Sequence, residues 1–373
     1  MNILVIPTTD WTKHPVPNRL NFIFDTLAEE HNVYVLHFNL KKFSDNDVRY
    51  TKCKLIDANM IDADDPSLYY LFNVPKHILK IRNAVREKNI DLIVSANILP
   101  SFLANFTRVP LVFDYLDHLE ESAAIYYPDS LFGKLVKMSV RQIVRYNIRN
   151  ANYVITVTDE FKRLLQGMGA NNIAVIPNGV DTNILKPMPK EKAKKMLGLD
   201  GKVIGYVGSL EHWVDLETVV EALPYLDVKL MVIGPGLFTD YGDMIKNLAE
   251  RLGVSDKISF IGAIPYNQLS TYISAMDVGL NPLKKMKKNE ITVGGKVFNY
   301  LSCGVPVLSS RMISLVNLLG EDLFYYDEKE SFIKEAEHIL NLQHDERKYR
   351  SIAEKFDWRN IAKTYETILR QVV

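Results

Sequence analysis

Short β-rich apolar runs alternate with amphipathic helical patterns along the whole chain, and this alternation limits the fold more than any other feature. In the first half the runs fall at 3–6, 33–38, 91–95, 110–114, 153–157 and 174–177, with helical segments at 19–29, 75–88 and 131–149 between them. Strand–helix–strand order requires parallel pairing with right-handed crossovers, which gives an open sheet with helices on both faces. The string Leu185-Lys186-Pro187-Met188-Pro189 and the charged run 190–195 then break the pattern. It restarts at 203–207, 229–233, 258–261, 278–281, 305–309 and 323–326. The expectation is an α/β protein of two Rossmann-like domains, at 1–184 and 185–356, facing each other across a cleft. A closing helix at 357–373, with Trp358, Ile361, Ala362, Tyr365 and Ile368 at helical spacing, is expected to pack back onto the first domain.

Composition removes several classes of function. The 373 residues suit two domains that each bury a core. Lys and Arg together number 45, as do Asp and Glu, so a surface that grips nucleic acid all over is excluded. Two distant cysteines, Cys53 and Cys303, offer no disulfide framework and fit a reducing compartment. No run approaches the roughly 18 apolar residues of a membrane span, and the N-terminus lacks the pattern of a secretory signal. The eight histidines show no ligand spacing, so no metal site is expected. Asp62-Ala63-Asp64-Asp65 invites a metal-binding D-x-D reading, but no β-rich strand leads into it.

Open α/β sheets bind ligands beyond the carboxyl ends of their strands, so the loops must identify the chemistry. Three ordered segments do so. Val175-Ile176-Pro177-Asn178-Gly179-Val180-Asp181 ends a strand in a tight turn, for which Asn178-Gly179 offers positive φ. Ile204-Gly205-Tyr206-Val207-Gly208-Ser209-Leu210 is a strand running into a glycine where backbone can approach a diphosphate. Val293-Gly294-Gly295-Lys296-Val297-Phe298-Asn299-Tyr300 opens a helix, with Gly304 and Pro306 following it. There, backbone N–H groups and Lys296 can converge on phosphate oxygens. One lysine–phosphate contact near a partly shielded site is worth about 4 kcal/mol before desolvation.

Together these segments resemble those of the retaining GT-B glycosyltransferases, the large family-four or group 1 type, and the likeness runs through nearly the whole chain. The resemblance implies a metal-independent enzyme with no cofactor. It would move a sugar from a UDP- or GDP-linked donor to a hydroxyl of a glycan or lipid-linked saccharide. It places Gly208, Ser209, His212, Ile264, Glu290, Gly294, Gly295, Lys296 and Asn299 on the donor side. Most members carry a glutamate where Asn299 stands. Replacing a charged hydrogen bond by a neutral one should weaken nucleotide binding roughly tenfold. No arginine or lysine follows Gly208, so leaving-group stabilisation would rest on Lys296, helix dipoles and His212. The run Lys284-Lys285-Met286-Lys287-Lys288 is either an auxiliary basic loop or a solvated face.

On the acceptor side the strand 110–114 runs into Tyr115-Leu116-Asp117-His118. Asp117 is the first candidate to orient or deprotonate a hydroxyl, with Asp114 and His118 next; Asp117 could equally cap the helix that follows. The helix at 131–149 aligns Lys134, Lys137, Arg141, Arg145 and Arg149 on one stripe. It is either a solvated face or a contact with an anionic membrane surface, which would make a cytoplasmic protein peripheral on the inner membrane face. Two alternatives differ in class: a lapsed nucleotide-sugar or glycan-binding protein, and a nucleotide-sugar epimerase, whose histidine and carboxylate set is missing.

Overall fold

The structure, a computed structural model, describes residues 1–63, 66–116, 131–236 and 239–373, with the backbone alone at 66, 67 and 132. The chain divides into two compact units, Met1–Pro177 with Trp358–Val373, and Asn178–Asp357. Each is built on a parallel sheet.

In the first unit the strands are β1 (Asn2–Ile6), β2 (Asn32–His37), β3 (Lys54–Asp57), β4 (Leu92–Ser95), β5 (Leu111–Asp114), β6 (Tyr153–Thr156) and β7 (Ile173–Val175), in the order β3-β2-β1-β4-β5-β6-β7. Successive residues of β1 serve opposite faces, as a strand's two-residue period requires. Ile3 and Val5 join Leu20, Ile23 and Phe24, whereas Leu4 and Ile6 join Leu36, Phe38 and Ile81. The C-terminal helix Trp358–Val372 closes the first of these layers. Its Trp358 stacks on Phe22 at 5.4 Å, and Tyr365 meets Phe24 edge to face at 5.7 Å. Each such buried aromatic or aliphatic side chain contributes about 1.5–3 kcal/mol.

The second unit holds β8 (Val203–Val207), β9 (Lys229–Ile233), β10 (Ile258–Gly262), β11 (Val278–Asn281), β12 (Val307–Ser310) and β13 (Phe324–Tyr326), ordered β10-β9-β8-β11-β12-β13. In both units the strand order reverses beside the first strand, between β1 and β4 and between β8 and β11. Such a switch point leaves a crevice beyond the strand ends, because the flanking crossovers leave in opposite directions.

The structure corrects the sequence reading in three places. Strand β3 went unseen. The seam between the units lies at 177/178 rather than 184/185, because Val180 and Leu185 are fully buried in the core of the second unit. Arg350 adds to this by donating to the carbonyls of Thr182 and Ser302, while Thr182 Oγ1 donates to Asp357. Finally, neither Asn178 nor Gly179 has positive φ. Asn178 acts through its side chain, whose Nδ2 donates to the Val293 carbonyl at 2.9 Å. The Asn178-Gly179 segment is therefore a strut beside the Gly294-Gly295 corner, not a left-handed turn.

Candidate functional site

The second unit's switch point is assembled from three neighbouring segments. β8 runs into Gly208, whose N–H donates to the Ile233 carbonyl at 2.9 Å. A Cβ at Gly208 would lie 2.8 Å from the Tyr206 hydroxyl and 3.2 Å from Cε and Nζ of Lys296, so only glycine leaves room. Gly234, just past β9, must also be glycine: a Cβ there would overlap the Gly208 carbonyl oxygen. The loop after β8 is then stitched to its neighbours. Leu210 N–H donates to Pro235, Val214 forms a bridge with Leu283, and Asn289 Nδ2 donates to the carbonyls of Trp213 and Lys284.

The helix Lys296–Ser302 crosses this point. Its Tyr300 hydroxyl accepts from Val207 N–H at 2.7 Å and donates to the Leu280 carbonyl at 3.0 Å. One side chain thus joins the helix to both strands that flank the crevice. Lys296, four residues earlier and so one turn back on the same face, is set above the end of β8. The Lys296 ammonium lies 4.5 Å from the centroid of the Tyr206 ring and donates to the Tyr206 hydroxyl at 3.3 Å. Among the described residues it forms no ion pair with a carboxylate. Burial disfavours its charge and pulls its pKa down to about 8. A cation held this way, with no internal counter-charge, is suited to an external anion.

The other donor-side candidates have their own surroundings. Gly294 is exposed with open space above it, and Gly295 is the residue from which the helix starts. Asn299 is half-buried one turn beyond Lys296, and its amide has no hydrogen bond to a described residue. The Ser209 carbonyl accepts from the Tyr206 hydroxyl at 2.7 Å. Ile264 is half-buried in the loop after β10. Glu290 is otherwise engaged, its carboxylate accepting from Ile313 N–H at 2.8 Å. His212 Nε2 lies 3.3 Å from Asp240 with its ring edge-on to Tyr241, so its polar end is directed at a carboxylate. The basic run is largely spent within the fold. Lys284 pairs with Glu217 at 2.7 Å, Lys285 with Asp327 at 3.1 Å, and Lys288 lies over the Trp213 ring at 4.2 Å.

In the first unit, Asp117 and His118 lie outside the described residues, as do Asp64 and Asp65 of the D-x-D string. Asp114 needs correction as a catalytic candidate. It is fully buried, 3.4 Å from Arg19 Nε, and accepts from the Tyr365 hydroxyl at 2.9 Å. Burial pushes its carboxyl above the usual range, with Arg19 and Tyr365 acting in the opposite sense. Arg19 in turn donates to the Ile176 carbonyl at 2.9 Å. Asp114 joins β5 to two helices and has no exposure through which to meet a substrate. In the helix Leu131–Asn150, Lys134, Arg141 and Arg149 are exposed, together with Leu131, Leu135 and Met138. Arg149 is partly structural, since its Nε donates to the Met168 carbonyl. No described helix is long and apolar enough to cross a membrane.

Sequence reasoning missed Tyr206, Tyr300 and Gly234. The signal for Tyr300 is a hydroxyl-bearing aromatic four residues after the lysine. Tyr206 looks like any strand aromatic until its hydroxyl is located.

Two tandem parallel sheets, each with a switch point beside its first strand, are the architecture of the GT-B class of fold. The solved structures agree over essentially the whole chain. Sucrose-phosphate synthase from Thermosynechococcus elongatus has a TM-score of 0.78 at 17% identity, covering 100% of this chain and 99% of that one. HepE of Anabaena, solved in complex with UDP-glucose, has a TM-score of 0.72 at 18% identity, covering 100% of both. The glycosyl transferases group 1 model matches residues 187–356 and the glycosyltransferase family 4 model matches residues 25–184. The chain belongs to the group 1 glycosyltransferases. Among curated relatives, 2-deoxystreptamine glucosyltransferase of Streptomyces kanamyceticus is 28% identical over 211 residues, 53% of this chain and 52% of that protein. D-inositol 3-phosphate glycosyltransferase of Mycobacterium tuberculosis is 26% identical over 166 residues, 43% and 34% of the two. The chain thus spans about half the length of the first of these relatives and about a third of the second.

Proposed function

We propose that this glycosyltransferase takes a UDP- or GDP-linked sugar and transfers it, with retention and without a metal, to a hydroxyl of a glycan or lipid-linked saccharide. The observation that carries the reading is the Lys296 ammonium at the end of β8, which has no counter-charge among the described residues. As the glycosidic bond breaks, negative charge builds on the departing diphosphate. Lys296 and the backbone of the glycine corners would offset that charge from fixed positions, with no reorganisation needed at the moment of transfer. Asn299 is suited to hold a ribose hydroxyl from the same helix face, and Ile264 to lie against the base. On the acceptor side the candidate is Asp117, orienting the hydroxyl that attacks, with His118 beside it. The UDP-glucose complex of HepE supports a nucleotide-sugar donor, and the basic, partly apolar surface of Leu131–Asn150 supports contact with an anionic membrane at the cytoplasmic face.

A titration with UDP, GDP and their glucose, galactose and mannose conjugates tests the reading. Binding of at least one at sub-millimolar concentration is expected, and failure of all of them would remove the donor assignment. Asp117→Ala should keep donor binding and abolish transfer. Ser209 and Asn299, which depart from the family pattern, favour one rival, a binding protein without catalysis. Donor consumption above background, with a candidate acceptor present, separates the two.

A further inference from the structure

The residue that sets the lysine in place is not among those implied by the family pattern. Tyr206 is fully buried on β8, two residues before Gly208. Its hydroxyl donates to the Ser209 carbonyl at 2.7 Å and accepts from Lys296 Nζ at 3.3 Å, while its ring lies 4.5 Å beneath the same ammonium. Gly208 leaves the room this contact needs, since a Cβ there would lie 2.8 Å from the hydroxyl and 3.2 Å from Nζ. Two attractions of different origin thus act on one cation: the quadrupole of the ring and the lone pair of the hydroxyl. The hydroxyl's own proton is spent on the loop, so the chain of contacts runs from ammonium to phenol to the Ser209 carbonyl.

We propose that Tyr206 is a positioning residue of the donor site: it seats Lys296 over the end of β8 and couples the ammonium to the Gly208-Ser209 backbone, so that lysine and loop meet the diphosphate as one unit. The proposal rests on the reading of this edge as the nucleotide site. It accounts for two features of the structure. A lysine with no carboxylate partner would otherwise extend into solvent, yet this one is drawn in far enough for burial to lower its pKa. The loop after β8 carries no arginine or lysine to grip a phosphate, so its backbone can serve only if something fixes it relative to the cation. Tyr206 does not itself touch the reacting atoms.

The test is a double-mutant cycle on the whole chain, with UDP and GDP as probes and calorimetric dissociation constants as the readout. Tyr206→Phe keeps the ring and deletes the hydroxyl, and should weaken binding about fivefold, the size of one net neutral hydrogen bond. Tyr206→Leu removes the ring as well and should weaken it further, so the order is Tyr, then Phe, then Leu. In a Lys296→Met background, Tyr206→Phe should cost less than in the parent, because one of the two groups it positions is gone and only its hold on the Ser209 carbonyl is left to lose. Tyr326→Phe is the control: Tyr326 is another buried tyrosine of this unit, its hydroxyl has no hydrogen-bond partner among the described residues, and its loss should leave binding unchanged. Equal cost of Tyr206→Phe in both backgrounds, or no cost in the parent, overturns the positioning role. If the parent chain binds neither nucleotide, the donor-site reading fails and the proposal falls with it. If the parent binds and the cycle is additive, the proposal alone falls.

Discussion

Two charges sit at the carboxyl ends of central strands in this protein, one in each unit, and the fold treats them oppositely. Asp114, last residue of β5, is enclosed with Arg19 at 3.4 Å and a tyrosine hydroxyl at 2.9 Å. Lys296, at the end of β8, is given a tyrosine ring and hydroxyl but, among the described residues, no acid. The first charge is neutralised from within, and its partners tie three elements into one core. The second keeps its charge at the cost of desolvation, which a fold gains nothing from unless something outside completes the pair. A charged residue at a strand end is therefore not by itself a catalytic signal. The deciding question is whether its counter-charge is part of the chain.

The largest effect is expected in the first unit. Asp114→Asn keeps an acceptor for Tyr365 but leaves Arg19 buried without a counter-charge, and should destabilise by about 3–5 kcal/mol. Chemical denaturation measures this directly. The paired replacement Arg19→Met with Asp114→Leu should recover most of the loss, since a buried ion pair contributes little over well-packed apolar groups. If Asp114→Asn left stability untouched while abolishing transfer, Asp114 would belong with the chemistry and the contrast would fail.

The opposite signature is expected for Lys296→Met. Binding of the nucleotide should fall by about 1.5–3 kcal/mol, the value of a charge-assisted contact, which is roughly 10- to 150-fold. Stability should stay level or rise. The native state holds this amine at a pKa of about 8, below its ordinary value of 10.5. Between those two values the unfolded chain binds more protons, so stability increases with pH there, and below about pH 8 the native state carries the full penalty. Removing the amine removes that penalty. A melting curve and a calorimetric titration on the same sample decide the matter, and simultaneous loss of fold and binding would contradict it.

The same pKa sets a pH dependence that the lysine variant should lack. Below about pH 8 the ammonium is present in the free protein, and above it the charge is lost unless the ligand draws a proton in. Nucleotide affinity should therefore decline by up to about tenfold from pH 7 to pH 9 in the parent chain. It should be flat over that range in Lys296→Met. Protons taken up on binding near pH 8, read from calorimetry in two buffers, give the same answer independently.

Much of this contrast was legible in the residues, and the part that was not has physical causes. Central strands announce themselves because both faces are buried, so β1, β4, β8 and β11 read as apolar stretches at 3–6, 92–94, 203–207 and 278–280. The edge strand β3 escaped because Lys54-Leu55-Ile56-Asp57 is short, bounded by charges and mostly exposed. The seam was set seven residues late because prolines and lysines follow Leu185. Composition marks where a chain is polar, whereas Val180 and Leu185 show where it packs. Lys296 stands out in the sequence because a lysine after two glycines at a helix start has a mechanical reason to be there. Asp114 was misread for the converse reason. Its partners Arg19 and Tyr365 come from distant segments, and only the folded sheet brings them together. Tyr206 was invisible because periodicity reports the side of a strand, not the direction of a hydroxyl.

The smallest expected effect concerns the residue one turn beyond the lysine. Asn299 is half-buried with its amide free of hydrogen bonds to described residues, so a carboxylate placed there displaces no existing interaction. Asn299→Glu would exchange a neutral hydrogen bond to a ribose hydroxyl for a charged one, a gain of about 1 kcal/mol or roughly fivefold in nucleotide affinity. It would also place an acid within a turn of Lys296, at the spacing where helix side chains meet. If the new carboxylate turned to the ammonium instead of the sugar, the lysine would acquire the internal counter-charge that it now lacks. Its pKa would then rise, the loss of affinity above pH 8 would disappear, and nucleotide binding would weaken rather than strengthen. The two outcomes have opposite signs in one titration. The second would convert Lys296 into half of a structural ion pair of the kind that Asp114 makes with Arg19.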